Sequence, residues 1–262
     1  MRAMDEFAGK VALVTGASGI GAAAALRLAR AGAGVLCCDI DAAAGGALAQ
    51  AAAGLRLVTR QVDVTAEAEV QAAVAAAAQA FGGLDIIVNA AAIHPFGTVE
   101  HTDAATFARC MAVNVGGIAL TARHGIPLLR ARGGGAIVNL ASVQGHACQQ
   151  GVAAYAASKG AVHALTRAMA LDHARDNIRV NSVSPGSVRT PMLALSARTF
   201  DGAGADLEAV FRRFGAAHPL GRIGEPEEVA ELIAFLAGPR SAFVTGADYL
   251  IDGGLNAGIG VR

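Results

Sequence analysis

Short apolar runs recur along the chain at 11–15, 34–39, 55–62, 84–89, 136–141, 179–183 and 249–251, separated by longer alanine-rich stretches. Several are nearly continuous in Val, Ile and Leu instead of alternating with polar residues. A strand wetted on one face alternates; one covered on both faces by helices does not have to, and parallel strands are covered in that way. The expected architecture is therefore α/β, a doubly wound central parallel sheet of about seven strands with helices on both faces. No Pro- or Ser-rich linker, internal repeat or charge block divides the 262 residues, so a single domain over 1–262 is expected. Helix ends are legible too. Gly32 and Gly34 close the first helix, Asp41 caps the second, and Gly224-Glu-Pro-Glu-Glu228 opens a late one with carboxylates at its positive end. The least regular segment, 191–220, carries several glycines with Phe200, Phe211 and Phe214, and reads either as a lid over a pocket or as an ordinary surface excursion.

Charge narrows the class of function. Lys and Arg number 21, as do Asp and Glu, so no global field recruits nucleic acid or an anionic membrane. There is no leader pattern at the N-terminus and no uninterrupted apolar run of the ~18 residues that span a bilayer. A cytoplasmic enzyme of small molecules is expected, without membrane partners. Cys37, Cys38, Cys110 and Cys148 show no CxxC spacing and no companion histidines at metal-ligand intervals, so they read as reduced thiols and no metal is expected. Cys37 and Cys38 are strand neighbours whose side chains point to opposite faces.

The first run leads into Thr15-Gly-Ala-Ser-Gly-Ile-Gly21 and then a helix. Glycines in that context permit a tight turn and close backbone approach, and the helix N-terminus offers unpaired N–H groups to a pyrophosphate. Asp39 ends the second run at roughly the 20-residue interval where an acid meets the adenosine ribose hydroxyls. A carboxylate there repels a 2′-phosphate and no basic residue follows in Ile40-Asp-Ala42, which favours NAD over NADP. Asp39 as a mere turn or capping residue is the alternative.

From about Gly9 to its C-terminus the chain resembles the classical short-chain dehydrogenase/reductases, whose domain is Rossmann-type. The family usually has TGxxxGxG; here two residues, not three, separate Gly16 from Gly19. An earlier helix start keeps the N–H groups in reach; a loop that pulls back weakens cofactor binding. The first outcome is expected, with Gly16, Ser18, Gly19 and Ile20 around the pyrophosphate. The resemblance further implies adenine contacts from Asp63 and Val64. It implies ribose contacts at Asn89, which opens Asn89-Ala-Ala-Ala92 where the family usually has NNAG; the side-chain bonds that steady the sheet there are in question. Pro185-Gly-Ser-Val-Arg-Thr190 resembles the stretch that holds the nicotinamide carboxamide, which brings in Pro185, Gly186, Val188 and Thr190.

Tyr155 and Lys159 lie four apart in a stretch that reads as a helix over 153–175, hence on one face. A free phenol is a poor base at neutral pH; an adjacent ammonium favours phenolate, and an oxidised nicotinamide adds positive charge. With Ser142 at the end of a strand and Asn114 in Val113-Asn-Val-Gly116, the four match the family's catalytic tetrad by type and order. The resemblance implies that Ser142 orients the substrate oxygen, Tyr155 exchanges its proton, Lys159 also binds ribose, and Asn114 positions a water. The implied reaction is hydride transfer between a secondary alcohol and NAD.

Residues just after these elements are expected to face substrate: His94, Gln144, His146 and Gln149, beside Ser142 and Tyr155, with Cys148 and the segment 192–214 nearby. Neutral hydrogen-bonding groups suit a sugar, polyol or related hydroxy compound better than a carboxylate. Two alternatives stand: a 3-oxoacyl thioester reductase, and an NAD-binding sensor without catalysis. Family resemblance also implies a homotetramer, through the helix of Tyr155 and through the late helix and last strand, where 227–237 and 244–259 are apolar.

Overall fold

The computed structural model describes residues 6–258. Seven strands, β1 (Val11–Thr15), β2 (Gly34–Asp39), β3 (Leu57–Gln61), β4 (Ile86–Asn89), β5 (Gly135–Leu140), β6 (Ile178–Pro185) and β7 (Asp248–Ile251), form one parallel sheet in the order β3-β2-β1-β4-β5-β6-β7. The order reverses between β1 and β4, so the loops that leave their carboxyl ends diverge and open a crevice. Nine helices lie among the described residues: α1 (Gly19–Arg30), α2 (Ala42–Ala51), α3 (Glu67–Phe81), α4 (Ala104–Met111), α5 (Gly117–Ala131), α6 (Ala153–His173), α7 (Pro191–Asp201), α8 (Leu207–Ala216) and α9 (Pro226–Ala237).

Each central strand sends alternate side chains into two cores. Ala12, Val14, Val35 and Cys37 pack under α1 and α9; Val11, Leu13, Leu36 and Cys38 pack under α3, α5 and α6. The adjacent cysteines thus point apart, and burial raises both thiols. Helices α4 and α5 join through a π-turn, Ala112–Gly116, into a 28-residue segment long and apolar enough by length and composition to cross a membrane. In this fold it carries Arg109, Arg123 and Arg130, and α5 docks on α3 and the sheet.

Several boundaries differ from those expected. Gly34 does not close α1; it begins β2, where a Cβ would fall 2.6 Å from the Phe81 ring, and Gly32 at φ +94° makes the closing turn. The helix expected over 153–175 ends at His173, and a 3₁₀ turn follows, closed by Asn177 in the left-handed region at φ 57°. β6 begins at Ile178 and runs on through Ser184 to Pro185, where it ends. Segment 191–220 holds two helices, whose Ala197, Val210 and Phe211 form a small core with Ile223 just beyond it. Ile259, the end of the apolar stretch 244–259, lies outside the described residues, as do 1–5 and 260–262.

A buried polar chain crosses the sheet. Thr121 donates to Asn89 Oδ1 at 2.7 Å, Asn89 Nδ2 donates to Asn139 Oδ1 at 2.8 Å, and Asn139 Nδ2 donates to Thr166 at 3.0 Å. It ties α5, β4, β5 and α6 together and supplies the bracing that Asn89-Ala-Ala-Ala92 leaves in question. Asn139 is fully buried. Asn139→Ala strands Asn89 Nδ2 and removes a bond to Thr166, so stability is expected to fall by about 2–3 kcal/mol. A lower urea midpoint at unchanged m-value checks this.

Candidate functional site

The crevice over the β1–β4 break is a cavity of about 870 Å³ that runs from Asp39 and Ile40, past the glycine turn, to Tyr155 and Thr190. In the shortened turn α1 begins at Gly19, with Ser18 as N-cap. Gly16 at φ +92° and Gly19 at φ +50° take left-handed conformations that bend the chain in this short span. Ser18 makes no side-chain cap bond and the first turn of α1 holds no carboxylate, so the amides of Gly19, Ile20 and Gly21 face the crevice electropositive and without intrahelical acceptors. Thr15 Oγ1 accepts from the amides of Ala90 and Ala91, each at 3.2 Å, and fixes the opposite wall.

Asp39 is both a turn residue and a cavity residue. Its Oδ2 accepts from Ala17 N at 2.6 Å and its Oδ1 from Asp41 N at 2.9 Å, which anchors the carboxylate against the glycine turn while it remains partly exposed. At the neighbouring end, burial pulls the Asp63 carboxyl up, but bonds from Thr65 and Arg109 outweigh it and hold the group below the usual carboxylate value. Arg109, Ile40 and His218 border the cavity and were not anticipated. At the far end Thr190 caps α7, accepting from Leu193 N, and a Cβ on Gly19 would fall 2.9 Å from its methyl group. A glycine turn pressed against Thr190, amides at a helix start and an anchored carboxylate fit an extended dinucleotide. The residues that would hold it are Gly16, Ser18, Gly19 and Ile20 at the phosphates, Asp39 at a ribose, Asp63 and Val64 at the base, and Pro185, Gly186, Val188 and Thr190 at the nicotinamide.

The catalytic candidates converge on that end. Ser142, Tyr155 and Lys159 all line the cavity and are nearly fully buried. Lys159 Nζ donates to Leu140 O at 2.7 Å and sits 5.4 Å from the Tyr155 ring centroid. The expected lowering of the phenol by this ammonium is corrected here. Burial pushes Tyr155 up to about 12, opposed by the Ser142 hydroxyl and reinforced by Cys110. Burial likewise brings Lys159 down to about 8. The i, i+4 spacing places the pair on one face, and desolvation is the largest cause of both shifts.

Three predicted residues lie off the cavity. Asn114, in the π-turn, is buried beneath it: its Oδ1 accepts from Ile93 N at 2.9 Å, and its Nδ2 donates to Ile93 O at 3.0 Å and Ser158 at 2.9 Å. Asn89 is spent in the sheet-bracing chain. His146, expected beside substrate, is not among the residues that line the cavity; its Nε2 lies 2.7 Å from Asp248 Oδ2. Gln144 and Gln149 do line the cavity, clasped to each other at 3.0 Å. His94 also lines it, edge-on to Tyr155 with ring centroids 4.0 Å apart. Burial first, then the Lys159 charge, push His94 down to about 4, so it is a neutral imidazole, and its Nε2 is buried without a partner. Met192, Phe200 and Phe214 bring the 191–220 segment to the same end.

Comparison with known proteins agrees with this geometry. Residues 14–256 match the family model described as enoyl-(acyl carrier protein) reductase. The chain is 41% identical to the cis-4-hydroxycyclohexanecarboxylate dehydrogenase of Sinomonas cyclohexanicum, over 97% of this chain and 99% of that one. Among solved structures, the aldohexose dehydrogenase of Thermoplasma acidophilum superposes with a TM-score of 0.91 at 30% identity, over 99% of this chain and 98% of that one. The actinorhodin polyketide ketoreductase with NADPH gives a TM-score of 0.88 at 36% identity, over 94% and 97% of the two chains.

Proposed function

Because the chain belongs to the short-chain dehydrogenase/reductase family, we propose that it oxidises a secondary alcohol on a sugar, polyol or related hydroxy compound with NAD, using Tyr155 as acid/base. That it is an oxidoreductase acting on CH–OH groups follows from its relatives. The observation that carries the finer reading is the placement of Ser142, Tyr155 and Lys159 together at the Thr190 end of the cavity, with neutral His94, Gln144 and Gln149 beside them. When bound, a nicotinamide cofactor accepts the hydride and, oxidised, adds positive charge. The Ser142 hydroxyl holds the substrate oxygen, Tyr155 takes its proton, and Lys159 offers a cation next to the phenol. His94 and the two glutamines offer hydrogen bonds without fixed charge, and Phe200 and Phe214 add apolar wall. A hydroxyl on a ring suits this mostly apolar chamber. The relatives named for a hydroxycyclohexane acid and for an aldohexose both have ring alcohols as substrates.

Preference for NAD rests on Asp39, whose anchored carboxylate opposes a 2′-phosphate. Reduction of a 3-oxoacyl thioester with NADPH is the second reading, favoured by the likeness to an NADPH-holding ketoreductase. Screening NADH and NADPH production over sugars, cyclic alcohols, polyols and hydroxy acids separates the two. Wild type is expected to prefer NAD, and Asp39→Ser to narrow the kcat/KM ratio of NAD to NADP by about 10–100-fold, the worth of one charge-assisted hydrogen bond. A wild-type preference for NADP sinks the reading. Tight NAD binding without turnover on any compound leaves a sensor instead. The same reading takes the chain to be a cytoplasmic homotetramer, joined through α6 and through α9 with β7; light scattering on the purified protein tests the assembly.

A further inference from the structure

His146, His163 and Asp248 play no part in the chemistry above, yet they converge. His146 follows the 3₁₀ turn Val143–Gly145, His163 lies on α6 one turn beyond Lys159, and Asp248 opens β7. Gly145 makes the approach possible: a Cβ there would fall 2.5 Å from His163 Cε1, and its absence lets the two imidazoles stack with centroids 4.3 Å apart. Asp248 Oδ2 is 2.7 Å from His146 Nε2 and Oδ1 is 3.5 Å from His163 Nε2. Ser182 and Ser184 both donate to Oδ1, at 2.5 and 2.9 Å.

We propose that His146, His163 and Asp248 form a binding site for a divalent transition-metal ion of the zinc class. Two imidazole nitrogens and one carboxylate oxygen are its usual donors, and the three ligand atoms lie within 4.8 Å of one another. Bonds of about 2.0–2.1 Å place tetrahedral donors roughly 3.3 Å apart; the 2.7 Å approach to His146 is made by Oδ2 and the 3.5 Å approach to His163 by Oδ1, so a turn of the carboxylate that sets one oxygen towards both rings completes the donor set. Ser182 and Ser184 already hold the carboxylate through Oδ1, and Ser184 Oγ lies 3.0 Å from His163 Nε2, a bond the ion would replace at that ring while the serines keep the carboxylate oriented as outer-shell partners do at metal sites. His163 is buried, whereas the His146 side chain is 40% exposed, so the ion enters from solvent past His146 and keeps a fourth position for water. An ion there satisfies three acceptors at once and staples the loop after Ser142, which carries Gln144 and Gln149, to α6 and β7.

Binding is read on the protein alone, so its failure leaves the dehydrogenase reading untouched. Chelator-stripped full-length protein is titrated with Zn²⁺ by calorimetry and with Co²⁺ by visible absorption. The expected result is one equivalent bound, a raised Tm and Co²⁺ bands of four- or five-coordinate character. His146→Ala, at an exposed position that leaves folding intact, and Asp248→Asn each weaken binding by roughly 100-fold or more, beyond what outer-shell changes commonly cost. Cys148→Ser leaves it unchanged. Absence of stoichiometric binding, binding that survives His146→Ala, or binding lost with Cys148→Ser overturns the proposal.

Discussion

Tyr155→Phe is expected to lower kcat/KM by about 10³-fold or more while NAD(H) affinity stays within a few-fold of wild type. The substitution removes one oxygen from a ring that is packed edge-on against His94 and nearly enclosed, so the cavity wall is kept and only the proton-exchanging group is lost. Ser142 remains, but a serine hydroxyl beside neutral groups holds an oxygen without taking its proton. The pH profile is a second readout. Burial pushes Tyr155 up to about 12 and Lys159 down to about 8. A raised phenol pKa means that phenolate, needed for oxidation, gains with rising pH; the lysine cation that supports it is present below about 8 and lost above. Oxidation therefore climbs through neutral pH to a limit set by the pair, whose two steps belong to both groups together. Reduction needs the phenol itself and stays flat where oxidation climbs. Single-turnover hydride transfer with the best alcohol of the panel measures both. Retention of more than a tenth of wild-type turnover in Tyr155→Phe removes Tyr155 from its role.

How much of this is legible in the sequence depends on whether a position is fixed by period or by tertiary approach. Continuous apolar runs give β1 and β2 to the residue, because side chains alternating into two cores leave no polar position to blur the ends. β6 outruns its apolar stretch because Ser184 is polar, yet its hydroxyl is buried against Asp248 inside the fold. Site residues at or just past a strand end, such as Asp39 and Ser142, are legible because the strand fixes their direction. His146 is not: a short 3₁₀ turn intervenes, and no spacing says that the next side chain swings back towards β7. The metal candidates stand at 146, 163 and 248, intervals at which no local ligand pattern exists. Arg109 meets Asp63 across 46 residues, and His218 reaches Ser187 N from beyond α8. The Tyr155–Lys159 interval sets a shared helix face; desolvation, which decides the direction of both pKa shifts, belongs to the completed fold.

Gly21→Ala is expected to weaken NAD binding by roughly 100-fold or more and to lower Tm, although alanine is the better helix former. Gly21 is helical, so its backbone conformation is open to any residue; the constraint is steric. A Cβ there would lie 2.0 Å from Gly16 O and 2.9 Å from Gly16 C, both backbone atoms that no rotamer change can move aside. The shorter turn of this chain brings the first turn of α1 directly against the strand exit. One methyl must push either Gly16 or the helix start outward. Gly16 has no room to yield, since a Cβ at its own position would already meet Ala90 C at 3.1 Å. Displacement therefore falls on the amides of Gly19 to Gly21, the groups aimed at the pyrophosphate. Gly46→Ala in α2 is the matched control: it is exposed, a Cβ there meets nothing within 4 Å, and up to about 1 kcal/mol of stabilisation is expected from helix propensity alone. Calorimetric titration of NAD into both variants separates the two effects. Native affinity in Gly21→Ala places the phosphates elsewhere than at this helix start; selective loss there, with Gly46→Ala unaffected, ties the cofactor to the shortened turn.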